Sequence, residues 1–221
     1  MKRSKSLFAA MAAAWFFLIL TVSIAAPLVC RPFYYAHINA MNMPEATGHT
    51  YEEIKQAFDE MMDFCFYGGE FSTGVMRWSE DGKAHFVDVS RLFKINFAVM
   101  VIAAIVLAVC YYLKKKKKIQ PELYLARGPE YWGPLALLIA FVFIGIIGSI
   151  DFDVTFTVFH KIFFPGKTNW IFNSYRDEII TVLPQEYFRN CAILIVATLV
   201  AFCLFMIKRE DSKLKRKANN A

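Results

Sequence analysis

The chain has 221 residues, 57% of them hydrophobic and 16% aromatic, with a formal net charge of +6 and a mean hydropathy of +0.38. A soluble domain of this length has no use for so much apolar surface, which points to an integral membrane protein. The basic surplus comes with no nucleic-acid recognition motif, so a nucleic-acid partner is set aside.

Four stretches reach the roughly 20 apolar residues that a membrane crossing takes: 7–29, 92–113, 132–150 and 184–207. The first follows Lys2, Arg3 and Lys5 and ends near Ser23-Ile24-Ala25-Ala26, so a cleaved signal peptide competes with a retained anchor. The length of the run, and Pro27 directly after the candidate cut, favour the anchor.

Segment 30–91 begins irregularly and runs so to Gly48. Thr50 and Glu53 then stand in capping-box relation. Ile54, Phe58, Met61 and Cys65 recur at helical spacing until Gly68-Gly69 ends the element. Residues 71–79 and 83–89 are short alternating runs around Glu80-Asp81-Gly82, and Asp-Gly predicts a β-hairpin. On its second strand His85 would share a face with Val87 and Val89, with Asp88 on the other face. The plain reading of His85 is a half-buried structural histidine.

After the span 92–113, the five lysines at 114–118 open a loop to residue 131. Directly behind a span, such a run sets topology and touches anionic lipid. Segment 151–183 is crowded with aromatic residues. Phe152, Phe156, Phe159 and Phe163 are spaced four, three and four, one face of a short helix, with His160 at the edge of that stripe. Pro165-Gly166 breaks the helix, and Ser174 with Asp177 suggests a second cap, opening a short helix through Val182. The aromatic helix suits a membrane interface, where aromatic belts are common. An ionisable side chain inside it raises the prospect of function. A basic tail, 208–221, closes the chain.

Basic residues set orientation. With both termini inside, the inner segments carry fifteen basic residues against four acidic, and the other side nine against fifteen. The expected fold is therefore an all-α, four-transmembrane-helix bundle, N-in and C-in. It adds a small extracytoplasmic α+β element (surface helix plus β-hairpin) and an interfacial aromatic helix.

Five cysteines form no spacing motif; a bridge from Cys30 to Cys65 stays open, and Cys191 is the one candidate nucleophilic thiol. His37, His49, His85 and His160 are too scattered for a metal site. No Gly-x-Ser-x-Gly elbow or phosphate loop appears, so neither an acyl-enzyme nor a cofactor is indicated. His85 and His160 remain, on one side of the membrane and with pKa values ordinarily near neutrality.

Several stretches resemble the lipoprotein intramolecular transacylase family. They are Ala84-His85-Phe86-Val87-Asp88-Val89, Asp151-Phe152-Asp153 through Phe159-His160-Lys161-Ile162-Phe163-Phe164-Pro165-Gly166, Asn169-Trp170-Ile171-Phe172, and Asp177 through Leu183-Pro184-Gln185-Glu186-Tyr187-Phe188. Span order and loop sizes agree as well. The resemblance implies a multi-pass enzyme of the bacterial plasma membrane with its site facing outward. Its substrates would be lipoproteins whose N-terminal cysteine carries a diacylglyceryl thioether and a free amine. The sn-2 acyl chain would pass to that amine, giving the lyso-form. It also implies that His160 and His85 are the catalytic pair; the residues themselves point to no cofactor and no metal. Asp88, Asn169, Trp170, Tyr175 and Arg176 are candidate substrate-binding groups. The competing readings are a non-enzymatic four-span accessory or sensing protein, and an acyltransferase working between molecules.

Overall fold

The computed structural model describes residues 3–116 and 119–219. Lys2, Lys117 and Lys118, which entered the charge asymmetry, lie outside the described residues, as do residues 220 and 221 of the tail.

The chain order is β1 (Arg3–Ser4), α1 (Lys5–Val29), α2 (Arg31–Ala40), α3 (Met43–Thr47), α4 (Tyr51–Tyr67), α5 (Glu80–Lys116), β2 (Gln120–Pro121), α6 (Pro129–Ile150), α7 (Phe152–Phe163), a 3-10 turn at Glu178–Val182, and α8 (Gln185–Asn219). β1 and β2 pair in parallel, Arg3 opposite Gln120. Helices α1, α5, α6 and α8 are each long and apolar enough to cross a membrane.

Two compact units result. The first, here the bundle unit, comprises the chain up to Ala26, Asn96–Ile147 and the chain from Leu194. Its buried side chains are aliphatic or small: Leu7, Met11, Ala14, Leu107 and Cys110 in one cluster, Ile19, Leu137, Leu199, Cys203 and Met206 in another. Helices α1 and α6 meet at Gly133, where a Cβ would lie 2.3 Å from the Ala12 carbonyl oxygen. Only a residue without a side chain permits that approach.

The second, here the aromatic unit, comprises Pro27–Ile95 and Gly148–Ile193. Its core joins α2, α3, α4, the first turns of α5 and the 3-10 turn. Tyr34 stacks on Phe58 at 3.7 Å, and its hydroxyl donates to the Val182 carbonyl at 2.7 Å. The expected α4 forms as read, with the Thr50–Glu53 capping box and Gly68 at its end.

Three expectations change here. The stretch to Gly48 is not irregular but holds α2 and α3. The hairpin at 71–89 does not form, because α5 begins at Glu80. Ser79 accepts from the Gly82 amide at 3.1 Å, and Glu80 and Asp81 sit in the first turn, where acidic groups suit the helix dipole. Asp-Gly thus opens a helix that runs without a break into the apolar span. At 37 residues α5 is about 55 Å long, well over the roughly 30 Å hydrocarbon thickness. Its uncharged stretch, 95–113, is enough to cross, so the turns carrying His85 precede it. Third, the Cys30–Cys65 bridge is absent: both thiols are free, and Cys65 is buried with its Sγ 3.8 Å from the Phe86 carbonyl.

Candidate active site

His85 and His160 come together inside the aromatic unit, with ring centroids 5.9 Å apart and planes 30° from parallel. They are 6% and 7% exposed. His85 arrives from the second turn of α5, His160 from the last full turn of α7. Asp151 caps α7, accepting from the Val154 amide at 3.0 Å. The aromatic periodicity therefore produces the expected helix, Phe152–Phe163, and α7 ends before Pro165-Gly166.

Aromatic rings enclose the pair. Phe164 and Phe172 meet His85 edge-on at 4.9 and 5.4 Å. Trp170 stacks on His160 at 4.7 Å, and Phe156 lies 4.3 Å from it. Burial pushes the His85 imidazole down to about 4; His160 and Lys167 add to the fall, and Asp88 opposes it. Burial also lowers His160, against the pull of its hydrogen bond to Phe156. Both rings are thus neutral near pH 7.

Hydrogen bonding distinguishes them. His160 Nδ1 lies 2.7 Å from the Phe156 carbonyl oxygen. A carbonyl only accepts, so Nδ1 carries the proton, and in the neutral ring Nε2 is left with a lone pair. His85 Nδ1 is buried without a hydrogen-bond partner among the described residues. A buried polar atom in that condition calls for an explanation, and an unfilled functional role is one.

Asp88 follows His85 by three residues on a helix, which sets the two on neighbouring positions of one face. The strand reading had separated them. Lys167 Nζ donates to both Asp88 oxygens at 2.6 Å, and Asn169 Nδ2 lies 3.4 Å from Asp88 Oδ2. Burial raises the Asp88 carboxyl, but the bonds from Lys167 and Asn169 outweigh it and hold the group below the ordinary carboxylate range. The Asn169 side-chain oxygen is buried with no partner among the described residues.

Of the other expected binding groups, Trp170 is in the site, its indole N–H donating to the Lys167 carbonyl at 3.0 Å. Arg176 instead reaches Asp81 at 3.9 Å and lines a small cavity of about 150 Å³ with Asn169, Phe172 and Asp177. Tyr175 is 83% exposed and has no ring contact with either histidine. Ser174 does not cap a helix; Asp177 turns to α5, accepting from the Ser79 amide and hydroxyl at 2.8 Å each. A Cβ on Gly82 would fall 2.2 Å from Asp177 Oδ1, so this glycine is what lets the carboxylate approach the start of α5.

Sequence reasoning missed Lys167, Phe164 and Phe172. Lys167 looked like any loop lysine, and only the chain reversal after α7 returns it to Asp88. Phe164 and Phe172 carried a signal, since both lie within stretches quoted for the family resemblance.

A multi-pass helical membrane protein with a buried, neutral imidazole pair is the class these features define. Residues 9–188 match the family described as lipoprotein intramolecular transacylase Lit, and the chain belongs to that family. It is therefore an acyltransferase. The in meso structure of the membrane integral lipoprotein intramolecular transacylase Lit from Bacillus cereus is similar, with 25% identity, a TM-score of 0.84 and 96% of each chain covered. Two further structures of that enzyme carry a histidine-to-arginine and a histidine-to-alanine mutation. They match at 23% identity, with TM-scores of 0.80 and 0.79; 98% and 96% of this chain and 94% of each of those chains are covered. None of the curated proteins compared with the chain matches it.

Proposed function

We propose that this transacylase moves the sn-2 acyl chain of a lipoprotein's diacylglyceryl-cysteine onto the α-amine of the same residue, with His160 and His85 as general acid and base. The observation that carries the reading is the neutral, water-poor pairing of the two rings, one of which presents an unprotonated Nε2.

The atoms balance without an enzyme nucleophile. The amine nitrogen attacks the ester carbonyl carbon through an eight-membered ring, counted from nitrogen through Cα, Cβ, sulfur, two glyceryl carbons and the ester oxygen. A new C–N bond forms and the C–O bond to the sn-2 oxygen breaks. The nucleophile is already tethered, so the protein's work is orientation, which is worth several kcal/mol. Protons must move twice, because an α-amine with a pKa of roughly 7.7–8.0 is mostly ammonium at pH 7 and first gives one proton up to solvent. His160 Nε2 then takes a second proton from the attacking nitrogen and returns it to the leaving oxygen. His85, also neutral, donates toward the carbonyl oxygen as negative charge develops, an effect larger in a dry site than in water.

Asp88 and Asn169 are assigned to receive the substrate's polar head. Lys167 acts as a positioning residue: its side chain holds Asp88 and its carbonyl holds the Trp170 indole, so one residue links both histidine surroundings. The charge asymmetry supports an orientation with both termini inside the bacterial plasma membrane and the histidine pair outside. The exposed apolar side chains of α7, among them Val158, Ile162 and Phe163, suit a helix lying in the outer interface.

The deciding measurement is mass spectrometry of lipoprotein N-termini from cells with and without this chain. N-acylated, monoacylglyceryl termini are expected only when it is present; unchanged diacylated termini overturn the reading. Mixing acyl-labelled and unlabelled lipoproteins tests the tether, since label on the wrong polypeptide requires transfer between molecules.

A further inference from the structure

The loop between α5 and α6, in the bundle unit, turns on a strained backbone. Tyr124 and Arg127 exchange both main-chain hydrogen bonds, at 3.1 and 3.0 Å. The two residues between them, Leu125 and Ala126, both have positive φ, 50° and 62°. A two-residue turn of that hand belongs to Asn and Gly; a Cβ is disfavoured there. Strain of this kind persists where the surroundings impose it, and it gathers at functional positions. Here the surroundings do impose it. The Trp132 indole donates to the Tyr124 carbonyl at 3.1 Å, Arg127 pairs with Asp211 at 2.8 Å, and the Glu122 amide donates to the Ser4 carbonyl at 3.1 Å. The outcome is an apolar side chain held outward: Leu125 is 79% exposed, with Leu123 and Tyr124 exposed beside it.

Next to this tip, with Ala126 in its wall, is a cavity of about 630 Å³. Its cations are Arg3, Lys114 and Lys213, and its carboxylates are Glu130 and Glu210. Glu210 is engaged by Lys213, and Glu130 accepts from the Tyr111 hydroxyl at 3.0 Å. Lys114 lies over the Tyr111 ring. Neither Arg3 nor Lys114 has a carboxylate ion-pair partner among the described residues, and with three cations against two carboxylates the described wall keeps an excess of positive charge.

We propose that this cavity binds the phosphate of an anionic phospholipid headgroup, with Arg3 and Lys114 as its charge partners and Leu125 and Leu123 among the acyl chains. The volume falls within the range of small-molecule sites. The cavity lies at the lysine-rich end of a membrane-crossing helix, where anionic lipid is attracted. Free phosphate would satisfy the cations, but it would give no reason for a strained turn that exposes leucine. The site is separate from the histidine pair and does not depend on the transfer mechanism.

The test is native mass spectrometry of the full chain released from nanodiscs of equal phosphatidylglycerol and phosphatidylcholine. Phosphatidylglycerol should be retained preferentially. Arg3→Gln and Lys114→Gln should each cut that preference about fivefold, Arg3→Lys should restore it, and Leu125→Ser should weaken retention. Arg3→Gln with Lys114→Gln should cut the preference far more than Lys115→Gln with Lys116→Gln, which removes the same two charges outside the cavity. Equal loss from the two double variants would mean diffuse attraction and would overturn the proposal. Displacement of the lipid by millimolar inorganic phosphate would reassign the cavity to a free anion and overturn it too.

Discussion

The two units bury polar side chains on opposite terms. In the bundle unit, Thr21 and Ser23 turn back to carbonyls of their own helix, Phe17 and Ile19, at 2.7 and 2.8 Å. Such bonds need no neighbour, which suits helices whose surroundings are lipid. In the aromatic unit, buried polar groups reach across the fold: Ser90 to the Cys65 carbonyl, Asp177 to Ser79, Asp88 to Lys167. Against that background, the His85 ring nitrogen and the Asn169 side-chain oxygen, both buried without a partner among the described residues, stand out. The bundle unit solves burial locally and is free to be apolar outside. The aromatic unit uses long-range contacts to hold two imidazoles with little of either exposed.

That contrast breaks most visibly at the rings. His160→Ala should lower turnover by about 10²–10⁴-fold while the protein still inserts and purifies normally; full turnover by N-terminal mass spectrometry would return His160 to a structural role. A change of similar severity for folding belongs to the other unit. Gly133→Val puts a side chain against the Ala12 backbone and should cost about 3 kcal/mol, read as a fall in thermal midpoint with no change in the pH profile of the surviving activity. If the profile moves, the change at Gly133 reaches the histidine pair.

Lys167→Met leaves the buried Asp88 carboxylate only the longer contacts to Arg91 and Asn169, both 3.4 Å, and should cost about 2 kcal/mol, the partial exposure of Lys167 keeping this below a fully buried pair. Activity should fall with it, and Lys167→Arg should restore most of the loss. If Lys167→Met lowers stability but leaves turnover per folded molecule intact, Lys167 does not position the site.

The remaining effect is in pH. The His85 pKa of about 4 lies below the roughly 6.5 of the free side chain. The unfolded chain therefore takes the proton first, and stability should fall as pH drops through 6.5 and level off near 4. Thermal unfolding of His85→Phe should be flatter over that window. The acid limb of kcat/KM should likewise lie below 6.5, since both rings are held neutral.

Local signals carried a good part of this protein. Runs of about 20 apolar residues declared the four long helices, because length and composition alone satisfy a bilayer. The Thr50–Glu53 box and the Phe152–Phe163 periodicity declared α4 and α7, because caps and stripes act within a few residues. His85 and His160 stood out as ionisable groups in apolar stretches. The start of α5 misled, because Asp-Gly between alternating runs favours a hairpin locally, while Ser79, Asp177 and a continuous helix into the span favour another outcome together.

From its sequence alone, this chain determined its membrane spans, its best-capped helices and the two residues worth watching, since all of these rest on neighbours in the chain. Tertiary structure decided what those residues can do. It brought the rings to 5.9 Å, set Asp88 on the His85 face with Lys167 across it, and aligned the Phe156 carbonyl to choose the His160 tautomer. Distance, burial and tautomer are properties of groups far apart in sequence, and they exist only once the chain has folded back on itself.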